Sequence, residues 1–224
     1  MTTRPHTSLY LLSAALAAVW MTGCFVVNGF ATVKGSGNTA SEQRSVGPFE
    51  RIEIQGSADA IVQIGEPQQL NVEADDNILG LITTEVRGET LVISSKESYS
   101  SRRGVTVMIT VPKLEAVEIA GSGDVTIEGL AGDVFEAEVR GSGDIVGRGT
   151  VSDVEAVIKG SGDIDLSSLI ADRARASIFG SGDIDLHATQ AVDLSIRGSG
   201  DITYRGKPEV VKKSVLGSGD IKPR

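Results

Sequence analysis

The tetrapeptide Gly-Ser-Gly-Asp occurs at 121–124, 141–144, 160–163, 180–183, 198–201 and 217–220, at offsets of 20, 19, 20, 18 and 19 residues. Degenerate copies stand earlier, at Gly35-Ser36-Gly37-Asn38 and Gly56-Ser57-Ala58-Asp59. Self-similarity at a fixed period near 20 is the signature of a solenoid, whereas a propeller blade needs about twice that length. The repeat therefore governs most of what this chain can become.

The residues between the turns identify the kind of solenoid. After each turn come Val125/Ile127, Ile145, Ile164/Leu166, Ile184/Leu186 or Ile202/Tyr204, alternating with polar residues. Before each turn runs a second alternating stretch: Val117/Ile119, Phe135/Ala137/Val139, Val154/Ala156/Ile158, Ala174/Ala176/Ile178 and Val192/Leu194/Ile196. Period-two alternation with many β-branched residues means half-buried strands. No helical period follows residue 110. The expected fold is all-β, a parallel β-solenoid with about 19–20 residues per coil, inward side chains stacking on their counterparts one coil away.

Glycine at a turn supplies positive φ without a Cβ clash, and Ser and Asp side chains bond to turn backbone. Stacked coils lie about 4.8 Å apart. Asp124, Asp144, Asp163, Asp183, Asp201 and Asp220 are thus expected to form a carboxylate ladder along one edge. Neighbouring charges at that spacing repel by about 0.9 kcal/mol in water and about 3.5 kcal/mol at an effective dielectric of 20. The ladder must stay solvated, accept N–H bonds or meet cations. Arg140, Lys159 and Arg197 precede three of the turns as the nearest counter-charges, with Phe179 and Leu216 at the equivalent position elsewhere.

Residues 49–112 are less regular and read as the first coils and cap of the solenoid, ahead of regular repeats over 113–224. Strands are expected at 50–54, 60–64, 70–74, 90–93 and 105–111. Asp75-Asp76-Asn77 is expected to cap a helical turn at Ile78–Ile82, and Tyr99 to Gly104 reads as a polar loop. At the far end, Lys213 replaces the alanines of earlier coils, and Ile221-Lys222-Pro223-Arg224 puts lysine and proline on a terminal edge. The terminal lysine and proline are devices against end-to-end pairing, and Lys213 suggests that the core is opening there.

The N-terminus reads as an address. Residues 1–10 carry one Arg and no acid, and Leu9 to Met21 is an apolar run broken only by Ser13. That suits an export signal and is too short for a membrane span. It ends in Met21-Thr22-Gly23-Cys24, which resembles the lipobox of bacterial lipoproteins. The resemblance implies cleavage before Cys24, lipidation of that residue and anchorage in a membrane of the cell envelope. Phe25 after the cysteine does not resemble an inner-membrane retention signal, which points to the outer membrane. Residues 1–23 are then a signal peptide, 24–48 a flexible tether rich in small polar residues, and 49–224 the solenoid domain.

The recurring Gly-Ser-Gly-Asp turns, Thr90-Leu91-Val92-Ile93 and Val107-Met108-Ile109-Thr110-Val111-Pro112 resemble the bacterial head GIN domain family over residues 46–221. Its members are described as autotransporter adhesin-like, with a domain of unknown function. The resemblance implies a right-handed parallel β-helix on an exported, lipid-anchored envelope protein. It brings no catalytic residues.

Composition removes several function classes. A net charge of −9 argues against nucleic acid as partner. The single cysteine excludes an internal disulfide, and the only histidines are His6 and His187. His187 reads as a surface residue at a corner. The pairs Asp163/Asp165 and Asp183/Asp185 are the carboxylates a glycan-cleaving β-helix would need, but they fall in the polar register of repeating strands. The Asp ladder could offer oxygens to calcium; its structural role, bracing its own turns, is the stronger expectation, and no cofactor is expected. The glycine-rich turns lead into no helix and so offer no phosphate site. The expected function is a non-enzymatic, membrane-anchored scaffold or adhesin for a glycan or an envelope protein, with self-association possible. The alternative is a carbohydrate-active enzyme.

Overall fold

A computed structural model describes Met1 and residues 32–224; residues 2–31, with the expected signal peptide and Cys24, lie outside the described part. In chain order, β1 (Val33–Lys34) and β2 (Thr39–Gln43) precede β3 (Arg51–Gly56) and β4 (Asp59–Ile64). Next come β5 (Gln69–Asp75), the helical turn α1 (Asp76–Leu79), β6 (Ile82–Arg87), β7 (Thr90–Ser95), β8 (Tyr99–Ser100) and β9 (Thr106–Val111). β10 (Ala116–Gly121) opens the regular repeats. β11 (Val125–Val139), β12 (Ile145–Ile158), β13 (Ile164–Ile178) and β14 (Ile184–Gly198) each bend round most of a coil. The chain finishes with β15 (Ile202–Arg205), β16 (Val210–Gly217) and β17 (Ile221–Pro223).

The fold is a parallel β-solenoid of about five turns. One side stacks β7, β3, β10, the second halves of β11 to β14, and β16. A second side stacks β9, β4, the first halves of β11 to β14, β15 and β17. Between them Leu130–Gly132, Gly149–Val151 and Leu169–Ala171 pair as a short third side. The alternation in the sequence sets the register. Ile93, Ile54, Ile119, Val139, Ile158, Ile178 and Ile196 form one internal column, each at most 1% exposed. Each such side chain contributes about 1.5–3 kcal/mol through burial. Val215 continues the column on β16, yet it is 42% exposed.

The front end departs from chain order. β3 lies between β7 and β10, and β4 lies between β9 and β11. The coil made first along the chain is thus sandwiched by segments made later. Outside it the ladders turn antiparallel: β6 covers β7, β5 covers β9, and β2 covers β5. Arg44 fastens this cap, its guanidinium donating to the carbonyls of Ile82 at 2.7 Å and Leu79 at 2.9 Å.

Several expectations for this region need correcting. The tether expected over 24–48 does not extend to residues 33–43, where β1 pairs with β8 and β2 pairs with β5. These short polar strands are held by the edges they cover, not by apolar alternation of their own. The helical turn stops at Leu79, and Ile82–Arg87 is a strand because it pairs with β7. Asp75 stands at the N-cap without capping it; its carboxylate accepts the Gly37 N–H at 3.1 Å. Tyr99 and Ser100 belong to a strand, leaving the polar loop to the residues after them.

The reason for the turn glycines is also different. Of the twelve in the six complete copies, only Gly198 and Gly217 have positive φ in the region that favours glycine. The common constraint is stacking. A Cβ on Gly141 would collide with the Gly121 carbonyl, one on Gly160 with the Gly141 carbonyl, and one on Gly180 with the Gly160 carbonyl. The coils approach too closely at these glycine positions for any side chain.

Candidate functional site: the aspartate ladder and the charged outer face

At the glycine edge the six predicted aspartates stand one per coil, and Asp59 extends the row. The Asp124 N–H donates to Asp59 Oδ1 at 3.0 Å, Asp144 to Asp124 at 2.9 Å and Asp163 to Asp144 at 2.8 Å. Asp183, Asp201 and Asp220 repeat the bond to the preceding aspartate at 2.7, 2.7 and 2.8 Å. In return, the carbonyl of each aspartate from Asp124 to Asp220 accepts the N–H of the residue following the aspartate one coil back, as in Val125 to Asp144 at 2.8 Å. A side-chain oxygen thus replaces the backbone acceptor missing at the corner, and the repeat propagates its own turn. The carboxylates of Asp124, Asp144, Asp163 and Asp183 remain exposed to water, which screens their repulsion. The serine N–H groups also bond to the coil before, for example Ser142 to the Gly121 carbonyl at 2.9 Å.

Arg140, Lys159 and Arg197 do not serve this ladder. Arg140 meets Glu118 at 2.7 Å and Glu138 at 2.5 Å, Lys159 meets Glu138 at 2.7 Å, and Arg197 lies over the Phe179 ring at 5.4 Å. Each turns toward its own strand's outer face, away from the corner. Asp165 accepts the Ser167 N–H at 2.9 Å, and Asp185 lies 3.9 Å from Arg224. Together with the ladder bonds of Asp163 and Asp183, this ties both predicted acidic pairs into local structure. His187 is half-exposed, in register with Ile170 and Arg205 on the neighbouring coils.

The more informative constellation is one the repeat motif did not reveal. On the outer face of β3, β10 and β11, Glu53, Glu118 and Glu138 are register partners, and Arg51 reaches over Ala116 to Glu136 at 2.5 Å. With Glu155 they line a shallow depression of about 300 Å³. Burial pushes the Glu118 carboxyl above its ordinary value, partly offset by the Arg140 charge and reinforced by Glu53 and Glu138. For Glu138 burial acts in the same direction, but hydrogen bonds from Arg140 and Lys159 outweigh it and leave the carboxyl below its usual range. Two neighbouring acids sharing one arginine are thereby driven apart. The signal lay in the outward glutamates at equivalent repeat positions, visible once β10 and β11 are aligned. Chemically this surface offers carboxylates and cationic donors in rows across stacked coils.

Comparison with known proteins fits this architecture. The family model for the head GIN domain, described as a putative auto-transporter adhesin, matches residues 48–208. The chain belongs to the head GIN domain family. Among solved structures, a putative adhesin from Bacteroides fragilis is 28% identical, with a TM-score of 0.70 over 86% of this chain and 100% of the other. A putative lipid binding protein from Parabacteroides distasonis is 26% identical, with a TM-score of 0.54 over 87% of this chain and 100% of the other. A putative adhesin from the same organism, 22% identical with a TM-score of 0.61, covers 87% of this chain and 100% of its own, and shares the fold. No curated protein matches this head GIN chain. Among the described residues no helix is long and apolar enough to cross a membrane.

Proposed function

We propose that this head GIN protein is a non-enzymatic adhesin or scaffold of the bacterial cell envelope, exported and held to the outer membrane by lipid on Cys24. The observation that carries the binding reading is the outer face itself. Its charged rows run straight across stacked coils at a fixed spacing, which suits a repetitive partner such as an envelope glycan or another envelope protein. Adhesin-like relatives of the same fold support an exported, surface-associated role. The anchor rests on the apolar run from Leu9 and on the position of Cys24. Residues 1–23 are then removed.

Intact mass of the protein extracted from its native membranes tests the anchor. A chain beginning at Cys24 with added acyl mass is the expected result, and an unmodified chain overturns lipidation. Retention of the full chain on immobilised envelope polysaccharide or envelope protein, with loss when Arg51 and Arg140 are both replaced by Ala, tests the binding face.

One observation favours the carbohydrate-active alternative. Glu118 and Glu138 are the kind of split acid pair that general acid chemistry needs. Release of reducing ends from an envelope polysaccharide, abolished by either Glu118→Gln or Glu138→Gln in folded protein, would establish it.

A further inference from the structure

We propose that the edge at Val210–Gly217 is a docking site for an extended acidic polypeptide segment, which adds to the solenoid as its next strand. β16 is paired on one side by β14, and no described strand pairs its other side. All eight of its residues are exposed. Val215 continues the column from Ile93 to Ile196, and Val211 continues the buried column Phe135, Val154, Ala174 and Val192, yet each is 42% exposed here. Asp220 ends the aspartate ladder: the carboxylates of Asp59 to Asp201 each take an N–H from the coil beyond, whereas that of Asp220 has only Lys222, at 3.9 Å. Backbone groups, an apolar column and a ladder acceptor thus all await one more strand. This is the requirement of β-strand addition, in which the main chain supplies affinity and alternate side chains supply specificity.

Charge selects the occupant. In a chain of net charge −9, this end gathers Arg205, Lys207, Lys212, Lys213, Lys222 and Arg224 against Glu209 and Asp220. The Lys213 ammonium crosses the mouth of the coil, donating to the Ile221 carbonyl at 3.0 Å and lying 4.8 Å from the Tyr204 ring centroid. A second copy is disfavoured, because two β16 edges related by a two-fold axis would bring the Lys212-Lys213 pair of one close to that of the other. At the opposite end antiparallel strands cover the parallel ladders, and the cationic cluster lies at this edge.

The inference rests on reading the chain as a binding module, and it is measured apart from polymer retention on the outer face. The probe is a fluorescent peptide of about ten alternating valine and glutamate residues, titrated against the full chain by anisotropy. Three control ligands are a peptide with lysine for glutamate, one with a central proline, and duplex DNA. The expected result is binding of the acidic peptide alone, weakened about tenfold or more by Lys212→Glu together with Lys207→Glu, with new hydrogen-exchange protection at Val210–Gly217. Equal binding of the proline peptide or of DNA would reduce the site to bulk electrostatics and overturn the proposal. So would absence of peptide binding, or protection elsewhere, in a chain whose thermal unfolding is normal. Loss of polymer retention with peptide binding intact would count against the outer face only.

Discussion

A single glycine methylation separates the two explanations of the turn. Gly160 has no positive φ in the glycine region, so conformational freedom alone would let alanine stand there. Its Cβ would instead strike the Gly141 backbone, which cannot move without displacing a whole coil. Gly160→Ala is expected to cost about 1–3 kcal/mol in urea unfolding, the usual range for overpacking, while Gly47→Ala, with open space around it, stays within about 0.5 kcal/mol. The repeat and its aspartates were readable from spacing. The cause of the glycines was not, because inter-coil distance at a corner is a property of two coils and no tetrapeptide contains it. Glu118 gives a second test. Its folded carboxyl binds a proton more readily than the unfolded one, so ionisation weakens folding as pH rises through the raised value. Glu118→Gln is therefore expected to raise stability at pH 7 and to lose that advantage below about pH 4. Glu138, held low by Arg140 and Lys159, reverses the sign: Glu138→Gln destabilises at pH 7, and the loss fades as acid protonates the native carboxylate. Paired denaturant titrations at the two pH values decide both.

Among the elements, the regular coils were legible because each strand carries its own alternation. Ile178, Ile196 and their partners needed only to be aligned turn by turn. The cap was less so. β2, with Thr39-Ala40-Ser41-Glu42-Gln43, is a strand only because β5 presents an edge to it. β6 hid behind an apolar helical-looking start at Ile78 that ends at Leu79. Arg44 is what joins these pieces, through the carbonyls that end α1 and open β6. Its side chain is only 14% exposed, so removing it strands both acceptors. Arg44→Ala is expected to destabilise by about 2 kcal/mol, with Arg44→Lys recovering less than half. Hydrogen exchange should place the added opening in β2 and β6 and leave β12 and β13 unchanged.

On the scale of the whole molecule, the two ends are built by opposite rules. One is closed by strands running against the ladder; the other leaves Val215 at the head of a continuous column. Stability in such a stack is a sum of coils and the interfaces between them, so the middle coils are the firmest part. The interleaved front end has a consequence for how the chain comes into being. Because β3 and β4 are held on one side by β7 and β9 and on the other by β10 and β11, residues 51–64 cannot complete their place until both later segments have arrived. A pulse-labelling experiment should find their amides protected together with those of 90–128, never ahead of them. For a polypeptide threaded through a membrane from its N-terminus, this amounts to a delay built into topology. If this chain is exported as proposed, its leading segment would stay slack through the translocon, and a seed assembled on the far side would let the remaining turns wind on in the order they emerge.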